Sequence, residues 1–189
     1  MANRNTQGFG LIPAGTLGST PATAGQGKYK IDAGYGTTIY NGGAVASSAG
    51  YIIDGQPSSG DTPILGVLNG IFYNAATTLK PTFANFYKQP ITPANSEDID
   101  AFVYDNPQQQ YVVATDDAAA QAVYLETFDM NVSAGSDTTG KSSATLDIGD
   151  TSADAASWRL LRSAEDPEND ENAAFRSVVV VANLIELQS

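Results

Sequence analysis

The chain is written in short apolar runs, and nearly every run is closed by Gly, Pro, Asn or Asp. Period-two alternation with β-branched and aromatic residues dominates these runs, and helical periodicity is scarce, which restricts the fold to strands. Residues 28–33 (KYKIDA) and 35–40 (YGTTIY) read as two short strands around Gly34, or one strand bent there. Asn41-Gly42-Gly43 makes a tight turn into 44–46, Tyr51-Ile52-Ile53 is a further strand, and 54–61 (DGQPSSGD) is turn chemistry.

The strongest apolar segment of the front half is 64–73 (ILGVLNGIFY), where Gly66 and Gly70 predict a bulged, closely packed strand. Residues 74–96 read as a long loop carrying Pro81, Pro90 and Pro93. Its aromatics Phe83, Phe86 and Tyr87 are candidates to close a barrel end or to form a contact patch with a neighbouring subunit. Residues 100–104 and 111–115, joined by Asp105-Asn106-Pro107, predict a hairpin. The Ala-rich stretch 116–123, with two acids at its start, is the best short-helix candidate. Runs at 128–132, 143–148, 158–162 and 175–181 complete the strands, the last reading as a buried central one. The expectation is an all-β, mainly antiparallel body, a β-barrel or a β-sandwich, with at most one short helix.

Ahead of these strands, residues 1–27 hold six Gly and two Pro among Thr, Ser and Ala. Such a composition buries too little surface to offset its ordering entropy. The expected organisation is therefore an extended N-terminal arm over 1–27 and a single body domain over 28–189. Stretched out, the arm reaches about 90 Å. Its compact apolar cluster, Phe9, Leu11, Ile12, Pro13 and Leu17, has little use in a linker and is expected to anchor the arm on another protein.

Histidine and cysteine are both absent. That removes Ser-His-Asp and Cys-His catalysis, disulfides and the usual zinc ligands. No nucleophile elbow, Walker loop or dinucleotide fingerprint occurs. A glycosidase needs two facing carboxylates, and the 21 acids single out no pair. The acidic turns 147–154 and 166–171 resemble calcium loops only superficially, lacking the EF-hand glycine and terminal glutamate. The reading is thus a non-enzymatic protein with no catalytic residue, cofactor or metal. Tyr29, Tyr35, Tyr40 and Tyr51 read as half-buried sheet packing, with a sugar-stacking platform as the alternative.

The net charge of −12 is unevenly spread. Residues 1–96 carry three acids against five bases, net +2, whereas 97–189 carry eighteen acids against four bases, net −14. An acidic balance of this kind repels phosphate backbones, so nucleic acid is not an expected partner. It serves solubility, or it places an acidic half toward solvent and a near-neutral half with the arm toward a partner. The longest apolar run, 178–182, is far shorter than the roughly 20 residues that span a bilayer, and no secretion-signal core is visible. A soluble protein without a membrane anchor is expected.

The order of parts resembles the capsid cement, or head decoration, proteins of tailed bacteriophages of the marine and freshwater type. The segments that carry the resemblance are GFGLIPAGTLGSTPATAG, KYKIDAGYGTTIYNGGAV followed by GYI, ILGVLNGIFY, AFVYDNPQQQYVV, TTGKSSATLDI, WRLLRSAEDPEND and SVVVVANLIELQ. It implies a β-rich virion protein, made in the host cytoplasm, on the outer capsid surface. It also implies an arm that clamps neighbouring major capsid subunits, often in homo-trimers at three-fold positions. The family carries no ligand motif to transfer. Another phage structural part, such as a head–tail or tail protein, and a carbohydrate-binding module are the alternative readings.

Overall fold

A computed structural model describes residues 3, 5–18, 25–55, 63–131, 135–149 and 156–188. The chain is all-β: the described residues form thirteen strands and three single 3-10 turns, and the pairs among these strands are antiparallel. The strands are β1 (Ile12–Thr16), β2 (Gly27–Ile31), β3 (Ala44–Ser48), β4 (Tyr51–Asp54), β5 (Gly66–Asn74), β6 (Pro81–Ala84) and β7 (Ile99–Tyr104). They continue as β8 (Gln109–Ala114), β9 (Thr127–Phe128), β10 (Met130–Asn131), β11 (Thr145–Leu146), β12 (Trp158–Ser163) and β13 (Ser177–Ala182). One sheet has the order β1-β8-β13-β12-β9, a second has β2-β7-β5-β3-β4 with β6 added to β5, and β10-β11 form a separate ribbon.

The body is sandwich-like, and its two hydrophobic clusters follow from the pleat. Neighbouring residues of a strand point to opposite faces, and in the second sheet Ala44 and Val45, and Val67 and Leu68, fall into different clusters. One face packs on the first sheet through Leu11, Ala44, Val67, Tyr111, Trp158 and Val180. There the Trp158 and Tyr111 rings meet edge to face at 5.7 Å. The other face lines the inside of the second sheet's own curl, which brings Cα atoms of β2 and β4 within 8 Å of each other. Ile39 and Tyr87 exchange backbone hydrogen bonds across the end of that curl and are fully buried.

Several sequence expectations are met. The 64–73 run becomes β5, with a register shift between Leu68 and Gly70 that is the expected bulge. Residues 175–181 contribute β13, which lies between β8 and β12 with both neighbours paired.

Others are corrected. The 100–104 and 111–115 runs do not form a hairpin: β7 pairs with β2 and β5, while β8 pairs with β1 and β13 in the other sheet. The turn between them, closed by Gln109 N–H donating to the Asn106 carbonyl, carries the chain across the sandwich. Residues 74–96 are not all loop, because β6 folds back on β5 as the second arm of a hairpin. Residues 35–40 hold one isolated bridge, Ile39 to Tyr87, instead of a strand. The helix expected over 116–123 is reduced to a 3-10 turn at Gln121–Val123, since Asp116 is engaged elsewhere: its carboxylate accepts from Ile148 N–H at 2.9 Å. The 54–61 turn from residue 56 onward, the 147–154 acidic turn from Asp150 onward, and arm residues 19–24 lie outside the described residues.

Candidate functional site

The N-terminal segment is part of the body. β1 pairs with β8 as the edge strand of the first sheet, with a register shift between Pro13 and Gly15. Leu11 is 2% exposed and belongs to the inter-sheet core. Its N–H donates to the Gly42 carbonyl at 2.8 Å, and the Gly10 N–H donates to Ala144 at 3.3 Å. Farther back, the Asn3 amide donates to the Ala173 and Ala174 carbonyls at 3.0 and 2.9 Å, and Asn5 donates to Ser177 Oγ at 2.9 Å.

The glycines explain this docking. A β-carbon on Gly8 would sit 2.0 Å from the Ser143 carbonyl oxygen, and Gly10 adopts φ +72° against Gly42. A boundary at residue 27 therefore does not separate arm from body over residues 5–17, and Leu11 is a core residue instead of a free anchor. The remaining cluster residues split by the pleat. Ile12 is 46% exposed, Phe9, Pro13 and Leu17 are half-buried.

Beside β1 runs a cleft of about 280 Å³, lined by Phe9, Ile12, Pro13, Asn69 and Tyr104, with Lys141 its only charged residue among those described. The other three contact candidates separate. Tyr87 is a core residue whose hydroxyl donates to the Tyr35 carbonyl, so it is unavailable to a partner. Phe86 is half-buried and stacked on Tyr40 at 5.7 Å. Phe83 alone is open, 74% exposed.

Phe83 is not isolated. The register places it opposite Phe72, with rings 4.7 Å apart, and 6.3 Å from the Phe102 ring on β7. Phe72 and Phe102 were not legible as site residues; the available signal was their parity, since they alternate with the buried Ile71, Ala101 and Val103. The four tyrosines do not assemble into a platform. Tyr29 packs on the curled core and donates to Asp105 at 2.8 Å, while Tyr51 donates to Asp98 at 3.2 Å. Burial, with the adjacent Asp105 carboxylate, pushes the Tyr29 hydroxyl up to about 12.

Next to the phenylalanines, Lys28 and Lys30 both bind Asp100, at 2.7 and 2.6 Å. Burial alone would raise the Asp100 carboxyl, but the hydrogen bonds from the two lysines outweigh it and hold it below the usual carboxylate range. Among the described residues no group of three or more Asp or Glu is arranged to hold a metal ion.

No family model, curated protein or solved structure matches the chain. What the surface offers chemically is contact: an edge strand with apolar side chains on one side, and an aromatic face bordered by amides and a compensated charge cluster on another. Scattered exposed leucines, Leu79 and Leu125 among them, are ordinary for a protein surface.

Proposed function

We propose that this chain is a non-enzymatic structural protein of a tailed-phage virion, binding the outside of the capsid and cementing neighbouring major capsid subunits. The observation that carries the reading is the edge strand β1, where Ile12 stands 46% exposed beside Phe9 and Pro13 over a cleft with a single charged residue among those described. The resemblance of the chain's ordered segments to cement proteins supports the same reading, and the net charge of −14 over residues 97–189 suits an outward face.

The docking of residues 5–17 changes how such a protein would work. An arm that orders only on binding spends contact energy on its own ordering. Here those residues are already held by the body, so the contact surface is preorganised and less of its energy is lost. Each bound copy stabilises the shell by mass action, and symmetric repetition multiplies a modest contact. Three-fold sites and a homo-trimer are the arrangement expected.

The test is to add the full chain, or its Ile12→Asp variant, to capsid shells purified without it, and to measure occupancy by cryo-EM. Ordered density across subunit boundaries for the wild-type chain, lost for the variant at unchanged melting temperature, supports the proposal. Absence of wild-type density from the shell, or density confined to the portal or tail, overturns it.

A further inference from the structure

We propose that the face of the curled sheet around Phe83 is a binding site for a neutral carbohydrate chain, an inference that rests on β5 to β7 with Gln26 and Asn85 and shares Asn69 with the cleft beside β1. The pleat turns Phe72, Phe83 and Phe102 outward, and Gly70, paired with Phe102, lines a trough beside Phe83 and Phe102. That trough, about 460 Å³, is lined by Phe83 and Phe102 together with the amides Gln26, Asn69 and Asn85. Among the described residues no charged side chain lines it, in a chain that has 30.

A saccharide presents apolar C–H faces to either side and hydroxyls around its rim. Exposed rings receive the first, and side-chain amides, each both donor and acceptor, receive the second. The amides of Gln26 and Asn69 make no side-chain hydrogen bond among the described residues, so their donors and acceptors are open to a ligand. The Asn85 amide nitrogen is already given to the Thr139 carbonyl at 2.7 Å, which fixes that side chain at the rim.

Charge decides against other ligands. A nucleic acid stacked on the same rings needs cations along its phosphates. Lys28, which pairs with Phe102 across the sheet, and Lys30 are both committed to Asp100. An anionic glycan meets the same obstacle on a chain of net charge −12. On the far side of Phe72 lies a separate groove, about 340 Å³, whose lining includes the charged Lys30, Glu97, Asp98 and Asp100, so the uncharged trough is the one that suits a neutral ligand.

The experiment is affinity electrophoresis of the full chain through gels containing dextran, laminarin, mannan or agarose, with heparin and single-stranded DNA as charged comparisons. Calorimetry with the hexasaccharide of the retarding polymer then follows. A neutral polymer is expected to retard the chain, and Phe83→Ala and Asn69→Ala are each expected to weaken hexasaccharide binding about tenfold. Leu125→Ala, at an exposed leucine elsewhere, should bind like the wild type. Because Phe83 is 74% exposed, its variant should melt with the wild type, separating binding from folding. Retardation by no neutral polymer, retardation by heparin or DNA alone, or wild-type affinity in Phe83→Ala would overturn the assignment.

Discussion

Gly8 lies so close to Ser143 that a β-carbon on it would stand 2.0 Å from the Ser143 carbonyl oxygen. The N-terminal segment is seated there by backbone, and the seat has no room for a side chain. Gly8→Ala is expected to destabilise the protein by about 1–3 kcal/mol, the usual cost of overpacking a close contact. Urea unfolding would show a lower midpoint, and limited proteolysis would cut within residues 5–17 earlier than in the wild type. A midpoint equal to the wild type would mean that this segment is not docked in solution.

Leu11 and Ile12 are adjacent yet differ in kind, 2% against 46% exposed. Leu11→Ala removes a core side chain from between the two sheets and should cost about 2–5 kcal/mol. Ile12→Ala should cost less than about 1 kcal/mol, since much of that side chain already meets water. Equal losses of stability in the two variants would argue against the strand register of β1.

Asp100 is shared by two lysines and is ionised below the ordinary carboxylate range. A carboxyl whose folded-state pKa is depressed contributes stability that is complete above its unfolded value, about 3.9, and is lost as pH falls below it. Melting temperature should therefore drop below about pH 4, and Asp100→Asn should flatten that drop. At pH 7 the substitution should cost about 1 kcal/mol, because the lysines are half-exposed and water replaces part of the pairing.

Tyr29 gives the opposite sign. Its hydroxyl, pushed up to about 12, is stabilised in the protonated form by burial and by Asp105. That contribution is complete below the ordinary tyrosine value, about 10, and is lost as pH rises from there toward the folded value. Thermal unfolding followed between pH 9 and pH 12 should show this loss, reduced in Tyr29→Phe. At neutral pH the variant should lose about 1 kcal/mol with the hydrogen bond to Asp105.

Much of the fold was readable because strand signals are local. β5 with its bulge near Gly70, the turn at Asn41-Gly42-Gly43 and the buried run of β13 all follow from residue type and spacing. The short helix is absent for a reason equally physical: Ala favours a helix more than any other residue, but tertiary contacts override that propensity. Here Thr115 hydrogen-bonds Asp117 and the Asp116 carboxylate binds Ile148, so local capping groups are spent on other partners. Of the residues expected to contact a partner, Phe83 and Ile12 are exposed, while Leu11 and Tyr87 are core. Exposure of an apolar residue in a polar, Gly-rich stretch is not encoded by its neighbours in sequence.

By itself the sequence determined that the chain is all-β, where most strands start and stop, that no histidine or cysteine chemistry is present, and that its charge is carried by the second half. Only the tertiary structure decided which strands pair, that β7 and β8 part into different sheets, and that the Gly-rich segment docks on its own body. Period-two alternation says which side chains share a face but not what that face meets. A strand has two free edges, and its neighbours are chosen by contacts between residues far apart in the chain. Tyr104 and Tyr111 mark the point: they sit seven residues apart in different sheets, joined by the Tyr111 hydroxyl donating to the Tyr104 carbonyl at 3.1 Å.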